Sequence, residues 1–167
     1  VFNKMIEKAK TEKEATTIDD FDNKFEASFK KLPSYHIIII AKDYVGLKNL
    51  YKLISYSHLD YFYKRPRITK AMLDEHREGL IIGSACEAGE LYSAFLERKS
   101  PEELVKIAEF YDYLEIQPNG NNSFMITKND EEYDRVNSFE DLEQINREII
   151  ALGDKLAKHL GDGSKVH

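Results

Sequence analysis

Apolar runs alternate with amphipathic segments along the chain, a pattern typical of an α/β fold. Short apolar or alternating runs predict three strands, because β-branched residues favour an extended backbone: Tyr35–Lys42, Gly79–Ser84 and Tyr113–Gln117. Apolar positions at steps of three and four predict the helices, at 46–65, 69–76, 89–98, 101–111 and 139–160. Strands that alternate with helices predict βαβ units and parallel pairing.

Several residues indicate where these helices begin and which side they bury. Thr69 and Ser138 are expected N-caps, and Ser100 with Glu103 fits a capping box. The helix after the first strand has an apolar stripe on one side, formed by Leu47, Leu50, Leu53, Ile54, His58 and Tyr61. The stripe predicts that this side packs on the sheet.

The first 34 residues differ from the rest. Residues 1–34 predict a short helix and a polar link, whereas 35–167 carry the strands and the longer helices. Three strands are too few to close a barrel. We therefore expect a piece of a longer protein, with an open sheet edge where further strands would pair.

Composition narrows the class of protein. The formal net charge is −6 and the sequence pI is near 5.4, which disfavours a domain devoted to gripping phosphate backbones and predicts weak, strongly salt-sensitive DNA binding. The single cysteine, Cys86, excludes an internal disulfide, so a cytoplasmic protein is expected. No apolar run approaches the roughly 20 residues of a membrane span.

The residues that could carry chemistry are few, namely His36, His58, Cys86, Glu115 and His167. Cys86 follows the end of a strand, where α/β proteins place functional groups, although a lone cysteine is more often a buried apolar residue. His36 stands at a strand entrance, which favours a structural histidine, and His58 lies on the apolar stripe. Glu115 could face either a polar lumen or water.

A further candidate is the mixture of aromatic and cationic residues in Tyr61–Arg67. Such a mixture is typical of nucleic-acid contacts. The alternative, which we favour at this level, is a helix end whose cations complement the helix dipole.

Five segments together resemble a known family, and they occur in order from about residue 35 to 160. They are Tyr35–Lys42, Val45–Ser55, Tyr61–Ile68 with the preceding His58, Arg77–Glu90 and Phe110–Pro118. The family is the polymerase and histidinol phosphatase (PHP) domain of bacterial replicative DNA polymerase III, of the PolC type.

The resemblance implies a distorted barrel of parallel strands and helices whose lumen binds divalent metals. His36 and Cys86 match metal ligands of the family, and a neutral imidazole and a thiolate suit zinc. Manganese is the other metal that the resemblance implies. The family's closing ligand motif is not carried onto His167. In PolC-type enzymes an exonuclease domain is inserted into the PHP domain, and residues 1–34 would leave that insertion.

The function implied is a portion of a DNA-directed DNA polymerase subunit, a nucleotidyltransferase that acts in DNA replication with magnesium in a separate domain. Other domains of the subunit, and DNA through them, would be its partners. Two alternatives stay open: a free-standing PHP-type phosphoesterase and a non-catalytic scaffold. With two matched ligands, we expect the isolated 167 residues to hold little or no metal and to show no phosphoesterase activity.

Overall fold

The computed structural model describes residues 32–127 and 133–160. The chain divides into two units, Val1–Ser34 and Tyr35–His167. The helix predicted near the start of the chain, like His167, lies outside the described residues. In the described part of the second unit, the elements are β1 (Ile38–Ala41), α1 (Tyr44–Leu59), α2 (Lys70–Glu75), β2 (Leu80–Gly83), α3 (Glu90–Leu96), α4 (Pro101–Ala108), a 3-10 helix (Asn119–Asn122), α5 (Phe124–Thr127) and α6 (Phe139–Leu160).

The first two predicted strands are neighbours, but they pair antiparallel. Ile38 lies opposite Gly83, and Ala41 lies opposite Leu80. The predicted parallel arrangement of β1 and β2 is therefore wrong. The described residues form a mixed helix and strand fold with a small two-stranded sheet, and they form no closed barrel, as expected for a chain with too few strands to close one.

The path between the strands explains their direction. A single helix would return the chain to the start of β1, whereas here α1 leads away and the segment after α2 leads back beside it. The rings of Tyr56 and His76 lie 5.6 Å apart, and the Asn49 side-chain amide donates to the Glu78 carbonyl at 2.9 Å. The chain thus reaches β2 at the end where it left β1, and β2 must run in the opposite direction.

β1 is buried on one face only. The exposed fractions of Ile38 and Ile40 are 36% and 46%, whereas Ile39 packs against the core. An uninterrupted apolar run favours a strand that is covered on both faces. Ile38 and Ile40 lie on the same face of β1 because side chains alternate along a strand, and their exposure shows that this face lies open.

The third predicted strand is not a strand. Tyr113 makes a single parallel bridge to Gly83, and this bridge is the one place where the predicted direction is confirmed. The Asp112 carboxylate accepts the Ile82 N–H at 2.7 Å and binds Arg77 at 3.0 Å. On the other side of the bridge, along 113–117, the Glu115 N–H donates to Ser84 Oγ at 2.9 Å. Because side chains take the hydrogen bonds that a ladder would use, pairing does not extend in either direction.

The predicted helix starts at α2 and α4 are confirmed. Thr69 Oγ1 accepts the Met72 N–H at 3.1 Å. Ser100 Oγ accepts the Glu103 N–H at 3.3 Å, and the Glu103 carboxylate accepts the Ser100 N–H at 3.0 Å. These bonds satisfy N–H groups that have no partner within a helix.

The buried side of α1 differs from the predicted stripe. It consists of Gly46, Asn49, Leu53 and Ser57, while Ile54 and His58 are exposed. Small residues face the protein because the returning chain passes close to this helix: a methyl group on Gly46 would lie 1.7 Å from the Gly79 carbonyl oxygen. Hydrophobic spacing alone does not detect such a close backbone approach.

The core lies between β2 and the helices α3, α4 and α6. The helix predicted over 139–160 is confirmed as α6, and it buries apolar positions at steps of three and four, among them Leu142, Ile145, Ile149 and Leu156. The predicted N-cap is also confirmed, because Ser138 Oγ accepts the Asp141 N–H at 3.2 Å. Within the described ranges, no helix is both long enough and apolar enough to cross a membrane.

Candidate metal centre

His36 and Cys86 lie side by side, although fifty residues separate them in the chain. The Cys86 Sγ and His36 Nδ1 atoms are 3.4 Å apart. The backbone fixes His36, since its N–H donates to the Ala88 carbonyl at 2.9 Å and it bridges Gly89 in parallel. The sequence-based expectation that these two side chains approach each other is met by the structure.

The turn that carries Cys86 depends on unusual backbone positions. Ala85 adopts a φ of 62°, in the left-handed region, and the Gly89 N–H donates to the Cys86 carbonyl at 2.9 Å. A methyl group on Gly89 would lie 2.2 Å from the Ser84 carbonyl oxygen. Gly89 therefore allows the turn to close, a role that sequence reasoning missed because it treated Gly89 only as a helix start.

The environment of Cys86 favours the neutral thiol in the absence of a cation. Burial raises the pKa of the thiol, the backbone near Ala88 lowers it, and the neighbouring Glu87 carboxylate raises it again. A bound cation opposes both effects, because it stabilises the thiolate directly. His36 is exposed, so its ring is accessible to an ion from solvent.

Glu115 lies beside Ser84 and Tyr113. Its N–H donates to Ser84 Oγ at 2.9 Å, and its Oε1 is buried without a hydrogen-bond partner. Burial, followed by the Glu115 carboxylate, raises the pKa of Tyr113 to about 12. The sequence analysis left open whether Glu115 faces a polar lumen or water. In the structure its side chain is partly buried.

Neither His58 nor the Tyr61–Arg67 segment joins this pair. His58 is exposed, and its Nδ1 lies 2.9 Å from the Ile54 carbonyl and 3.1 Å from Ser57 Oγ. The cations of Tyr61–Arg67 follow the end of α1 at Leu59. They are not in its last turn, so the favoured interpretation of them as partners of the helix dipole is wrong.

The donors in this part of the structure amount to one imidazole and one thiol. No group of three or more His, Cys, Asp or Glu side chains suited to a metal occurs in residues 32–127 and 133–160. Zinc bonds of about 2.0–2.1 Å to nitrogen and about 2.3 Å to sulfur place two tetrahedral ligand atoms roughly 3.5 Å apart. The observed 3.4 Å therefore suits a pair that shares one ion.

Comparison with known proteins gives a consistent result. A family model described as "PHP domain" matches residues 4–121. The chain is 51% identical over 155 residues to "DNA polymerase III PolC-type" of Clostridium perfringens. This match covers 92% of this chain and 10% of that protein.

Two further proteins carry the same name. The identity is 41% over 140 residues for the Bacillus subtilis protein and 42% over 139 residues for the Thermotoga maritima protein. These matches cover 84% and 83% of this chain. The chain spans about a tenth of the length of these curated relatives, at 9% and 10%.

Proposed function

The chain belongs to the PHP domain family, and on that premise we propose that it is part of the PHP domain of a PolC-type DNA polymerase III subunit. Relatives of that name match 83–95% of the chain, which supports the proposal. The whole enzyme adds deoxynucleotides to a primer during DNA replication in the cytoplasm, with magnesium in a separate polymerase domain. Residues 1–34 lead out of an inserted exonuclease domain.

Within this domain, His36 and Cys86 are ligands of one divalent ion, with zinc favoured over manganese by the thiolate. The observation that carries this step is the 3.4 Å separation of the two donor atoms. If the contact were ordinary packing, it would need neither an exposed His36 nor the left-handed Ala85 in the adjoining turn, and the structure has both. Such an ion, when bound, lowers the pKa of a coordinated water and so supplies the nucleophile for phosphoester hydrolysis.

The residues of this chain hold and orient these two donors. The backbone bond from His36 to Ala88 fixes the imidazole against the turn, and Gly89 lets that turn close. A catalytic zinc usually has three protein ligands, so further donors come from other parts of the parent subunit. The isolated chain is therefore expected to bind metal weakly and to hydrolyse no phosphoester.

The test is the metal content of the intact parent subunit after dialysis against a mild chelator. Variants Cys86→Ser and His36→Ala should each lose the bound ion, because even the loss of a side chain that only orients a ligand typically costs about 10–100-fold in metal affinity. His58→Ala is the matched control, since His58 is exposed and lies outside the pair. Equal metal content in all four proteins would contradict the ligand assignment and favour a non-catalytic scaffold.

A further inference from the structure

Helix α1 is a locally positive element on an acidic chain. Tyr44–Leu59 contains Lys48 and Lys52 and no Asp or Glu, although the chain has 30 Asp and Glu in 167 residues. The pattern continues beyond the helix: from Tyr44 to Leu73 the sole carboxylate side chain is Asp60. The net charge of −6 therefore conceals a stretch of opposite sign.

The outer side of α1 carries a shallow, open groove that includes two exposed tyrosine side chains. Tyr44, Lys48, Tyr51 and Ser55 are spaced by four, three and four residues, so they share one side of the helix. Together with Lys52, they line the groove. The exposed fractions of Tyr44 and Tyr51 are 90% and 63%, so both side chains are accessible from solvent.

The two lysines of this groove are available to an anionic partner. Within residues 32–127 and 133–160, no carboxylate forms an ion pair with Lys48 or Lys52. The segment after the helix contains further cations. Two of them, Lys64 and Arg67, lie 5.5 and 5.2 Å from the ring centre of Tyr63. Charge complementarity therefore points to a polyanion.

We propose that this groove on α1 binds single-stranded nucleic acid, with bases stacked on Tyr44 and Tyr51 and phosphates bound by Lys48 and Lys52. Exposed aromatic rings interleaved with cations are the usual surface for unpaired bases. The centre of a protein–protein interface is instead depleted of lysine. This inference goes beyond the proposed function, which requires no direct contact between this chain and DNA.

The first test measures the salt dependence of binding between the full 167-residue chain and a labelled thymidine oligonucleotide, by fluorescence anisotropy. The double variant Lys48→Glu/Lys52→Glu should bind more weakly. Its slope of log affinity against log salt should be shallower by about 1.4, since each phosphate contact to a single strand contributes about 0.7. The control Lys106→Glu/Lys155→Glu makes the same charge change at exposed lysines of α4 and α6 and should leave the slope unchanged.

The second test separates base stacking from attraction to any polyanion, with an abasic oligonucleotide of equal length as the comparison probe. Tyr51→Ala should bind the thymidine oligonucleotide at least about fivefold more weakly, the lower limit for loss of one stacked base. It should bind the abasic one as the wild type does, and Tyr51→Phe should retain both affinities. Thermal unfolding of each variant checks that the exposed substitutions leave the fold intact.

Three outcomes would overturn the proposal. The first is no binding by the wild type, and the second is an equal slope change in both lysine double variants. The third is a Tyr51→Ala substitution that lowers the affinity for both oligonucleotides equally or for neither. The last result would identify a general polyanion surface, such as one for an acidic peptide. None of these outcomes bears on the metal content of the parent subunit, so this proposal and the proposed function fail separately.

Discussion

Two glycines hold the junction between β1, α1 and the returning chain. Gly79 has a φ of 73°, which side chains rarely adopt, and a methyl group there would lie 2.4 Å from both Asp43 Oδ1 and the Gly46 N atom. A methyl group on Gly46 would meet the Gly79 carbonyl oxygen at 1.7 Å. Because both obstacles include backbone atoms, no rotation of a side chain relieves them.

Gly46→Ala is therefore expected to be strongly destabilising. Forced overlap with backbone should lower the free energy of unfolding by at least about 3 kcal/mol, the upper end of the usual range for overpacking. Urea denaturation of the variant measures this. Gly120→Ala is the control, since nothing lies within 4 Å of a methyl group at Gly120, and its change should stay within about 0.5 kcal/mol. Equal stability of the two variants would refute the close approach.

At this scale the sequence predicted some roles and missed others. Gly79 lies in a turn three residues beyond His76, the C-cap of α2, and glycine readily adopts the positive φ found there. Position alone gave His36 no functional role, because it stands at a strand entrance, and its pairing with Cys86 came from the family resemblance. The left-handed Ala85 has no signal in the sequence, since alanine does not favour that conformation.

The helices follow local rules, and their ends are correspondingly predictable. The α4 capping box shows this most directly, because the backbone N–H of Ser100, and next its hydroxyl, lower the pKa of the Glu103 carboxyl below its usual value. A lowered pKa in the folded state means that Glu103 stabilises the fold above its unfolded pKa. That contribution is lost as the pH falls through the folded value.

Glu103→Gln should therefore reduce the acid sensitivity of the fold. Between about pH 7 and about pH 3, the variant should lose less unfolding free energy than the wild type. Glu102→Gln removes an equivalent charge from the same helical turn but leaves the box intact, so it should lose more than Glu103→Gln over the same interval. Parallel urea titrations at the two pH values measure the differences, and identical losses in both variants would exclude a role for the box.

Strand direction lies beyond such local rules. The apolar run of β1 correctly predicted a strand and its neighbour β2, but alternation with helices does not distinguish one crossing helix from a helix followed by a returning segment. Tyr113–Gln117 alternates as a strand should, yet Ser84 Oγ accepts the Glu115 N–H that a longer ladder needs. Both errors arise from tertiary contacts that no single segment encodes.

At the scale of the whole molecule, the described sheet has two strands and the chain spans about a tenth of its relatives. The exposed isoleucines of β1 and the incomplete donor set beside Cys86 have the same explanation under the proposed function. Under that proposal, the remaining strands and ligands would belong to the rest of the parent subunit. Average composition misled in one respect, since a net charge of −6 gave no indication of the basic stretch around α1.

The most direct test of the account is X-ray absorption at the zinc edge of the intact parent subunit, compared with its Cys86→Ser variant. The account predicts a sulfur ligand at about 2.3 Å and nitrogen or oxygen ligands at about 2.0–2.2 Å, with the sulfur contribution lost in the variant. A first coordination shell that is the same in both proteins would contradict ligation by Cys86. It would reduce the contact between His36 and Cys86 to ordinary packing.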